Sequence, residues 1–245
     1  MTLWTKKQKK LKKVLKKYWG FDSLKSKQID IISAFVNGRD VIGLLPTGYG
    51  KSLCYLIPPL ITKKTIFIIS PLISLMEDQK EKLLDMGIPV STLHGNNSKR
   101  DQEVFDIIDG DIKIVYMSPE YLIEGDGLEL ATSLVENNQL AYFAVDESHC
   151  ISIWGHDFRT NYSQLNKFRQ KFPHIPILAV TATATKTVVE EIEQYLELKN
   201  TLLVQGKFDR PNLYLRCEQV NKIKIDVMDF YITKYKNDKI IIYTN

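Results

Sequence analysis

Residues 46–52 read Pro-Thr-Gly-Tyr-Gly-Lys-Ser and follow an apolar run. The segment after them, 52–60, has the apolar spacing of a helix. A strand, a glycine-containing loop and a helix in this order form the setting of a phosphate-binding loop, in which backbone N–H groups and the helix N-terminus face an anion. In such a loop Lys51 reaches the β- and γ-phosphates of a nucleoside triphosphate, and the Ser52 hydroxyl binds Mg²⁺. Position 45 is leucine, where the full pattern has glycine, so this match alone is partial.

Apolar runs and helical patterns alternate along most of the chain. Apolar runs predict strands at 40–45, 65–70, 89–93, 112–117, 140–145 and 177–181. Helical spacing predicts helices at 26–36, 52–60, 72–86, 98–108, 128–137, 163–172 and 185–196. The predicted strands are short and almost wholly apolar, which is typical of a sheet covered on both faces. The alternation therefore predicts an α/β fold with a mostly parallel central sheet flanked by helices.

An acidic pair, Asp146 and Glu147, directly follows the apolar run 140–145. In open α/β sheets, ligands bind at the carboxyl ends of the strands, which is where this pair is expected to lie. There Asp146 is expected to hold Mg²⁺, and Glu147 to orient and deprotonate the attacking water. The acidic pair and the loop at 46–52 together favour nucleoside triphosphate hydrolysis over an exposed acidic turn.

The composition excludes several classes of protein. Among the 245 residues, 44% are hydrophobic and 25% are charged, which argues against a disordered or collagen-like chain. No apolar run approaches the roughly 18–20 residues of a membrane-spanning helix, and no secretory signal is recognised. The three cysteines, Cys54, Cys150 and Cys217, are odd in number and widely spaced, so we expect neither a disulfide framework nor a zinc site. This cysteine usage favours an intracellular location and leaves nucleus and cytoplasm both open.

The N-terminus is strongly basic. Residues 1–17 contain eight lysines and no acidic residue, whereas the remaining 25 basic and 29 acidic residues carry a net charge of −4. A basic segment on a slightly acidic body predicts contact with a polyanion. The alternative is the solvated face of a docked helix. The apolar residues that recur there at helical spacing are Leu11, Val14, Leu15, Tyr18 and Trp19.

The motifs resemble, in order, those of the first RecA-like domain of superfamily 2 helicases, and among these the RecQ DNA helicases. Residues 24–28, Leu-Lys-Ser-Lys-Gln, resemble the motif that precedes the phosphate loop. Residues 70–79, Ser-Pro-Leu-Ile-Ser-Leu-Met-Glu-Asp-Gln, resemble motif Ia. Residues 146–150, Asp-Glu-Ser-His-Cys, resemble motif II, and 181–185, Thr-Ala-Thr-Ala-Thr, resemble motif III. The resemblance covers almost the whole chain and implies a RecA-like P-loop fold.

The most specific match is at 151–159, Ile-Ser-Ile-Trp-Gly-His-Asp-Phe-Arg, which resembles the aromatic-rich loop that distinguishes RecQ proteins. Trp154 and Phe158 offer flat faces on which nucleic-acid bases can stack. Arg159 can pair with a phosphate or stack on a base. The alternative interpretation is that Trp154 and Phe158 are buried anchors.

The resemblance also implies roles for individual residues, with ATP and Mg²⁺ as cofactors. Catalytic roles fall to Lys51, Asp146, Glu147 and His149. Nucleotide binding falls to Gln28, which reads the adenine edge, and to Thr47, Gly48, Tyr49, Gly50, Lys51 and Ser52. Nucleic-acid binding or coupling falls to Trp154, His156, Phe158, Arg159, Ser70, Pro71, Thr181 and Thr183. Mg²⁺ arrives with ATP and is held by Ser52 and Asp146.

Three parts are expected along the chain. A basic helix and the lead-in to the adenine-reading motif occupy 1–25, the first RecA-like helicase domain occupies 26–207, and 208–245 form the truncated start of a second RecA-like domain. The junction resembles that of RecQ proteins at 208–213, Phe-Asp-Arg-Pro-Asn-Leu. Only a strand, a helix and a last strand at 240–245 are expected in the third part.

The resemblance implies an ATP hydrolase that moves 3′-to-5′ on single-stranded DNA and unwinds partly duplex DNA when a second lobe is present. DNA repair and recombination are the processes it implies. Because the arginine finger of the second lobe is expected to be missing, we expect these residues alone to be weakly active or inactive. Two alternatives stay open: a superfamily 2 RNA helicase, whose partner is RNA, and a truncated non-catalytic nucleic-acid-binding module. Neither a membrane nor zinc is expected as a partner.

Overall fold

The computed structural model describes residues 3–95, 100–152, 160–207, 213–214 and 224–241, with backbone only at 3–6, 160 and 224–228. The chain divides into two compact units, Met1–Phe208 and Asp209–Asn245, which are described separately.

The strands of the first unit form one parallel sheet. Within the described residues they are β1 (Val41–Leu44), β2 (Thr65–Ile69), β3 (Val90–Leu93), β4 (Ile114–Met117), β5 (Leu140–Val145), β6 (Ile177–Thr181) and β7 (Leu202–Gln205). Their order across the sheet is β3-β4-β2-β5-β6-β1-β7, and every neighbouring pair is parallel. The predicted α/β class and the first six strands are confirmed. The edge strand β7 was not predicted from the sequence.

Helices cover both faces of this sheet. They are α1 (Leu3–Trp19), α2 (Ser26–Val36), α3 (Lys51–Thr62), α4 (Ile73–Asp85), α5 (Arg100–Asp109), α6 (Pro119–Glu124), α7 (Gly127–Glu136), α8 (Thr160–Ser163), α9 (Asn166–Lys171) and α10 (Lys186–Tyr195), with a 3-10 helix at Ser148–Ile151. In β2, Ile66 and Ile68 belong to one hydrophobic cluster, and Phe67 and Ile69 belong to another. Since successive side chains of a strand point to opposite faces, each face of the sheet has its own core.

The lysine-rich helix α1 packs against one of these cores. Leu11, Val14 and Leu15 are buried in the same cluster as residues of α2 and α3, whereas Lys12 and Lys13 are exposed. The docked-helix interpretation of this segment is therefore confirmed. Contact of its lysines with a polyanion stays a prediction.

The single helix predicted at 163–172 is wrong, because two short helices, α8 and α9, occupy this region. Between them the backbone hydrogen bonds span three residues, from Leu165 N–H to the Tyr162 carbonyl and from Phe168 N–H to the Leu165 carbonyl. The three residues are fully buried and are themselves spaced by three. A period of three matches 3-10 geometry, so burial of these side chains tightens the chain and interrupts the α-helix.

A buried ion pair joins the amino-terminal ends of three strands. Both carboxylate oxygens of Asp40, which precedes β1, accept hydrogen bonds from Arg169 Nη2 at 2.6 Å. The same carboxylate accepts the N–H groups of Ile177, in β6, and Lys199, before β7, each at 2.8 Å. Four hydrogen bonds satisfy this carboxylate, which is how a charged group is tolerated in the interior.

The second unit contains one helix among its described residues, α11 (Lys224–Lys234). Ile240 and Ile241 are exposed and lie outside any strand, so the strand predicted at 240–245 is wrong at these two positions. A strand needs a paired neighbour, and the described part of this unit supplies none. Residues 242–245, the junction at 208–212 and the segment 215–223 lie outside the described residues. None of the helices in the described ranges combines the length and the apolar character needed to cross a membrane.

Candidate nucleotide-binding site

The sheet order brings the sequence motifs to one edge. Strands β5, β6 and β1 are neighbours and parallel, so their carboxyl ends lie side by side. The loop 46–52 follows β1, Asp146 follows β5, and Thr181 ends β6. Backbone hydrogen bonds continue the pairing into the motifs, from Leu45 N–H to the Thr181 carbonyl at 3.1 Å and from Asp146 N–H to the Ile69 carbonyl at 2.8 Å. Motifs that are up to 135 positions apart in the sequence therefore meet at one place.

The loop has the backbone geometry of an anion-binding turn. Gly48 and Gly50 have φ values of 78° and 93°, in the left-handed region that glycine adopts without strain. The bulky Tyr49 between them is not among the residues with positive φ. Gly50 is the N-cap of α3, so the N–H groups of the first turn, beginning with Lys51, point out of the helix end. With the exposed Thr47 nearby, this helix terminus is of the kind that favours an anion.

Gln28 fastens this loop to helix α2. Its side chain is only 3% exposed, and its Nε2 donates to the carbonyls of Tyr49 at 3.2 Å and Gly50 at 3.1 Å. Its Oε1 accepts the N–H of Lys25 at 2.9 Å, which satisfies a free donor at the start of the helix. The amide of Gln28 thus holds the phosphate loop. Its reading of an adenine edge stays a prediction.

Lys25 is a second contact to the loop, and sequence reasoning missed it. Its Nζ donates to the Tyr49 carbonyl at 3.1 Å and lies 4.5 Å from the centre of the Tyr49 ring. The ring is thereby held against a cation, which accounts for a bulky residue at this loop position. Lys25 belongs to the motif at 24–28, but its contact with a residue 24 positions later leaves no local pattern in the sequence.

Asp146 is a buried carboxylate with both oxygens engaged. Oδ1 accepts the N–H of Glu147 at 2.9 Å, and Oδ2 accepts the hydroxyl of Tyr55 at 3.0 Å. The residue is only 8% exposed, so its side chain has little contact with water. Burial and the neighbouring charge of Glu147 raise the pKa of Asp146 to about 6, although the two hydrogen bonds and Lys51 act in the opposite direction. A cation bound here would restore the ionised form.

Glu147 combines a left-handed backbone conformation with a lowered side-chain pKa. Its φ of 45° lies in the left-handed region, which an amino acid with a Cβ adopts only at a cost. The hydrogen bond from His149 and the charge of Lys51 lower the pKa of Glu147 against the opposing effect of burial. The carboxylate is therefore ionised at neutral pH, as a proton acceptor must be.

His149 links the ends of β5 and β6. Its neighbours Cys150 and Glu147 raise the pKa of His149 to about 10 against the opposing effect of burial. Its Nδ1 lies 2.8 Å from Thr181 Oγ1, and that hydroxyl donates to the carbonyl of Thr183 at 3.2 Å. A continuous set of hydrogen bonds thus joins the acidic motif to the threonine motif.

Two tyrosines that the sequence analysis did not single out donate hydrogen bonds to Asp146 in the acidic motif. Tyr55, on α3, contacts the Asp146 carboxylate, and the Tyr162 hydroxyl donates to the Asp146 carbonyl at 3.2 Å. Both tyrosines are buried, with 2% and 0% of their surface exposed. Long-range side-chain pairs of this kind leave no periodic pattern in a sequence, so spacing alone could not reveal them.

The predicted nucleic-acid contacts are only partly within the described residues. Ser70 is buried at the end of β2, and its backbone N–H donates to the Met117 carbonyl at 3.2 Å. The next residue, Pro71, is half-buried, and both lie at the same sheet edge as Asp146 because β2 pairs with β5. The predicted stacking and coupling residues Trp154, His156, Phe158 and Arg159 lie outside the described residues. Their roles stay predictions.

Comparison with known proteins agrees with this geometry. Residues 25–192 match the DEAD/DEAH box helicase family. The chain is 42% identical over 239 residues to R290 of Acanthamoeba polyphaga mimivirus, provisionally named an ATP-dependent RNA helicase, and this match covers 98% of the chain and 43% of R290. It is 38% identical to the ATP-dependent DNA helicase RecQ of Haemophilus influenzae over 95% of the chain and 37% of RecQ. The chain thus spans less than half the length of these curated relatives.

Solved structures show the same fold. The crystal structure of the DUF1998 helicase MrfA bound to DNA superposes with a TM-score of 0.65 at 22% identity, over 81% of this chain and 29% of MrfA. A hypothetical ATP-dependent RNA helicase from Sulfolobus tokodaii superposes with a TM-score of 0.59 at 15% identity, over 81% of this chain and 57% of that chain. The RecA-like fold expected from the motifs is confirmed. With its motifs gathered at one sheet edge, the chain belongs to the DEAD/DEAH box helicase family and carries an ATP-binding domain homologous to that of RecQ helicases.

Proposed function

We propose that this chain is the ATP-binding motor lobe of a RecQ-like helicase that moves 3′-to-5′ along single-stranded DNA and separates duplex DNA together with a second RecA-like lobe. One observation carries the proposal. The phosphate loop, the acidic pair Asp146–Glu147 and the threonine motif at Thr181 occupy the ends of three adjacent parallel strands. An intracellular location is part of the same proposal.

ATP with Mg²⁺ is the cofactor that fits this site. Carboxylate and hydroxyl oxygens suit Mg²⁺, and the proposal assigns them to Asp146 and Ser52. Lys51 and the N–H groups at the start of α3 hold the phosphates, whose negative charge the helix end favours. Glu147 accepts a proton from the attacking water. A cation held by these residues would supply positive charge that offsets the charge developing on the phosphates during hydrolysis.

Coupling between ATP and nucleic acid follows from the same edge of the sheet. His149 contacts Glu147 at 3.4 Å and Thr181 at 2.8 Å, so it touches both the acidic motif and the threonine motif. Hydrolysis changes the charge next to Glu147. This change alters how strongly His149 pairs with Glu147 and with Thr181. The hydrogen bond from Thr181 to Thr183 carries that change into the threonine motif.

Nucleotide binding tests the first step of this proposal. A fluorescent ATP analogue with Mg²⁺ is titrated against the wild-type chain, Lys51→Ala and the control Lys82→Ala, which removes an exposed lysine from the last turn of α4. Lys51→Ala is expected to weaken binding by about tenfold or more, because a charge-assisted phosphate contact is lost. Equal affinity of Lys51→Ala and wild type would contradict the phosphate-loop assignment.

The nucleic-acid partner needs a separate measurement, because R290 is provisionally named an RNA helicase whereas RecQ is named a DNA helicase. ATP hydrolysis is measured for the chain joined to its complete second lobe, with single-stranded DNA and with RNA of the same sequence. DNA is expected to stimulate hydrolysis more strongly. Stronger stimulation by RNA would favour the RNA helicase alternative, and no stimulation by either would favour a non-catalytic module.

A further inference from the structure

We infer that Tyr55 is the residue that positions Asp146 for the cation carried by the nucleotide. The inference deepens the proposed function and rests on it. It assigns a task to a residue on the helix that follows the phosphate loop, one turn after Lys51. Tyr55 touches neither phosphate nor water in this role, since it acts through the carboxylate of Asp146.

The geometry around Asp146 carries the inference. The Tyr55 hydroxyl donates to Oδ2 at 3.0 Å, and the Glu147 N–H donates to Oδ1 at 2.9 Å. Each oxygen of the carboxylate therefore has one fixed donor, and rotation of the group would break both bonds. A carboxylate oxygen has a second lone pair, so both oxygens remain able to accept a further ligand. Tyr55 and Glu147 N–H thus fix the plane of the carboxylate while leaving it able to bind a cation.

Tyr55 is buried and lies on the helix that begins in the phosphate loop. Tyr55 is 2% exposed, so its hydroxyl meets Asp146 in the protein interior and not in bulk water. Its helix α3 also begins with the lysine and serine of the phosphate loop. The hydroxyl therefore ties the helix that holds the phosphates to the strand end that holds the cation ligand. Partners that orient a metal ligand commonly contribute about 10–100-fold to metal affinity.

Tyr116 provides a matched control. Its ring packs edge-on against that of Tyr55, with centroids 6.4 Å apart, and it is also buried. Within the described residues, the Tyr116 hydroxyl makes no hydrogen bond of normal geometry. It lies near Tyr55 and contributes to raising the pKa of Tyr55. Tyr116→Phe thus removes the same atom from the same core without removing a donor to Asp146.

The experiment measures how much Mg²⁺ strengthens binding of a fluorescent ATP analogue, as the ratio of dissociation constants in EDTA and in Mg²⁺. Tyr55→Phe, which keeps the ring, is expected to reduce this metal-dependent gain by about tenfold and to leave the affinity in EDTA unchanged. Tyr116→Phe is expected to keep the full gain. A purely structural role would lower the unfolding temperature of Tyr55→Phe without changing the ratio, and that result would overturn the inference.

A second comparison separates this inference from the proposed function. In an Asp146→Ala background the metal ligand is gone, so adding Tyr55→Phe is expected to change the ratio no further. A further reduction would show that Tyr55 acts on something other than Asp146 and would overturn the inference. If wild type binds the analogue with no metal-dependent gain, the proposed function fails as well. If wild type shows the gain and Tyr55→Phe retains it, the role of Tyr55 alone fails.

Discussion

Replacing Asp146 with asparagine is expected to change how the stability of the unliganded protein depends on pH. Burial and the charge of Glu147 raise the pKa of Asp146 from 3.8 to about 6 in the folded chain. The folded state therefore binds a proton more tightly at this position than the unfolded state does. The stabilisation from that proton is complete below pH 3.8 and is lost as the pH rises towards about 6.

The size of the effect follows from the shift. A difference of roughly two pKa units corresponds to about 3 kcal/mol once the pH is above both values. Asparagine cannot ionise, so Asp146→Asn escapes this cost. Relative to wild type, its free energy of unfolding is expected to increase by about 2 kcal/mol between about pH 4.5 and about pH 7.5. The variant thus avoids the cost of the buried charge at neutral pH while lacking the cation ligand.

Urea unfolding followed by circular dichroism, at several pH values and without Mg²⁺, measures this difference. Asp78→Asn is the control, because it removes an exposed carboxyl group from α4. This control shows how much the loss of one exposed carboxyl group changes the free energy of unfolding. Parallel pH profiles for Asp146→Asn and wild type would refute the reasoning, because they would show that ionisation of Asp146 costs the fold nothing.

Two further substitutions test contacts elsewhere in the fold. Arg169→Met leaves the buried carboxylate of Asp40 without its cation and is expected to lower the free energy of unfolding by about 3–5 kcal/mol, measured by urea unfolding; a loss below about 1 kcal/mol would contradict the role of this pair. Gly50→Ala places a Cβ 2.7 Å from Gln28 Nε2 at a φ of 93°, so nucleotide affinity is expected to fall in a titration with the fluorescent analogue. Unchanged affinity would mean that the loop tolerates displacement of the glutamine.

The sequence predicted well those features that local patterns determine. Apolar runs located β1 to β6, and the glycine loop and acidic pair located the candidate site, because each depends on residues that are neighbours in the chain. The edge strand β7 was missed since its apolar run, Leu202 to Val204, is only three residues long, and half of Leu203 is exposed. Pairs such as Tyr55 with Asp146 and Asp40 with Arg169 were also missed. Their members lie 91 and 129 positions apart, and only the sheet order brings them together.

The left-handed backbone of Glu147 affects which variants a screen for thermal stability would recover. Glycine would occupy this φ without strain, so Glu147→Gly is expected to relieve about 1 kcal/mol of backbone strain. The proposed proton acceptor would be lost in the same step. Screening variants for thermal stability alone would therefore favour loss of the proposed proton acceptor, and at neutral pH it would also act against the charged carboxylate of Asp146. Engineering of this domain for stability should therefore leave positions 146 and 147 unchanged. Stabilising substitutions should be sought at the amino-terminal ends of the strands.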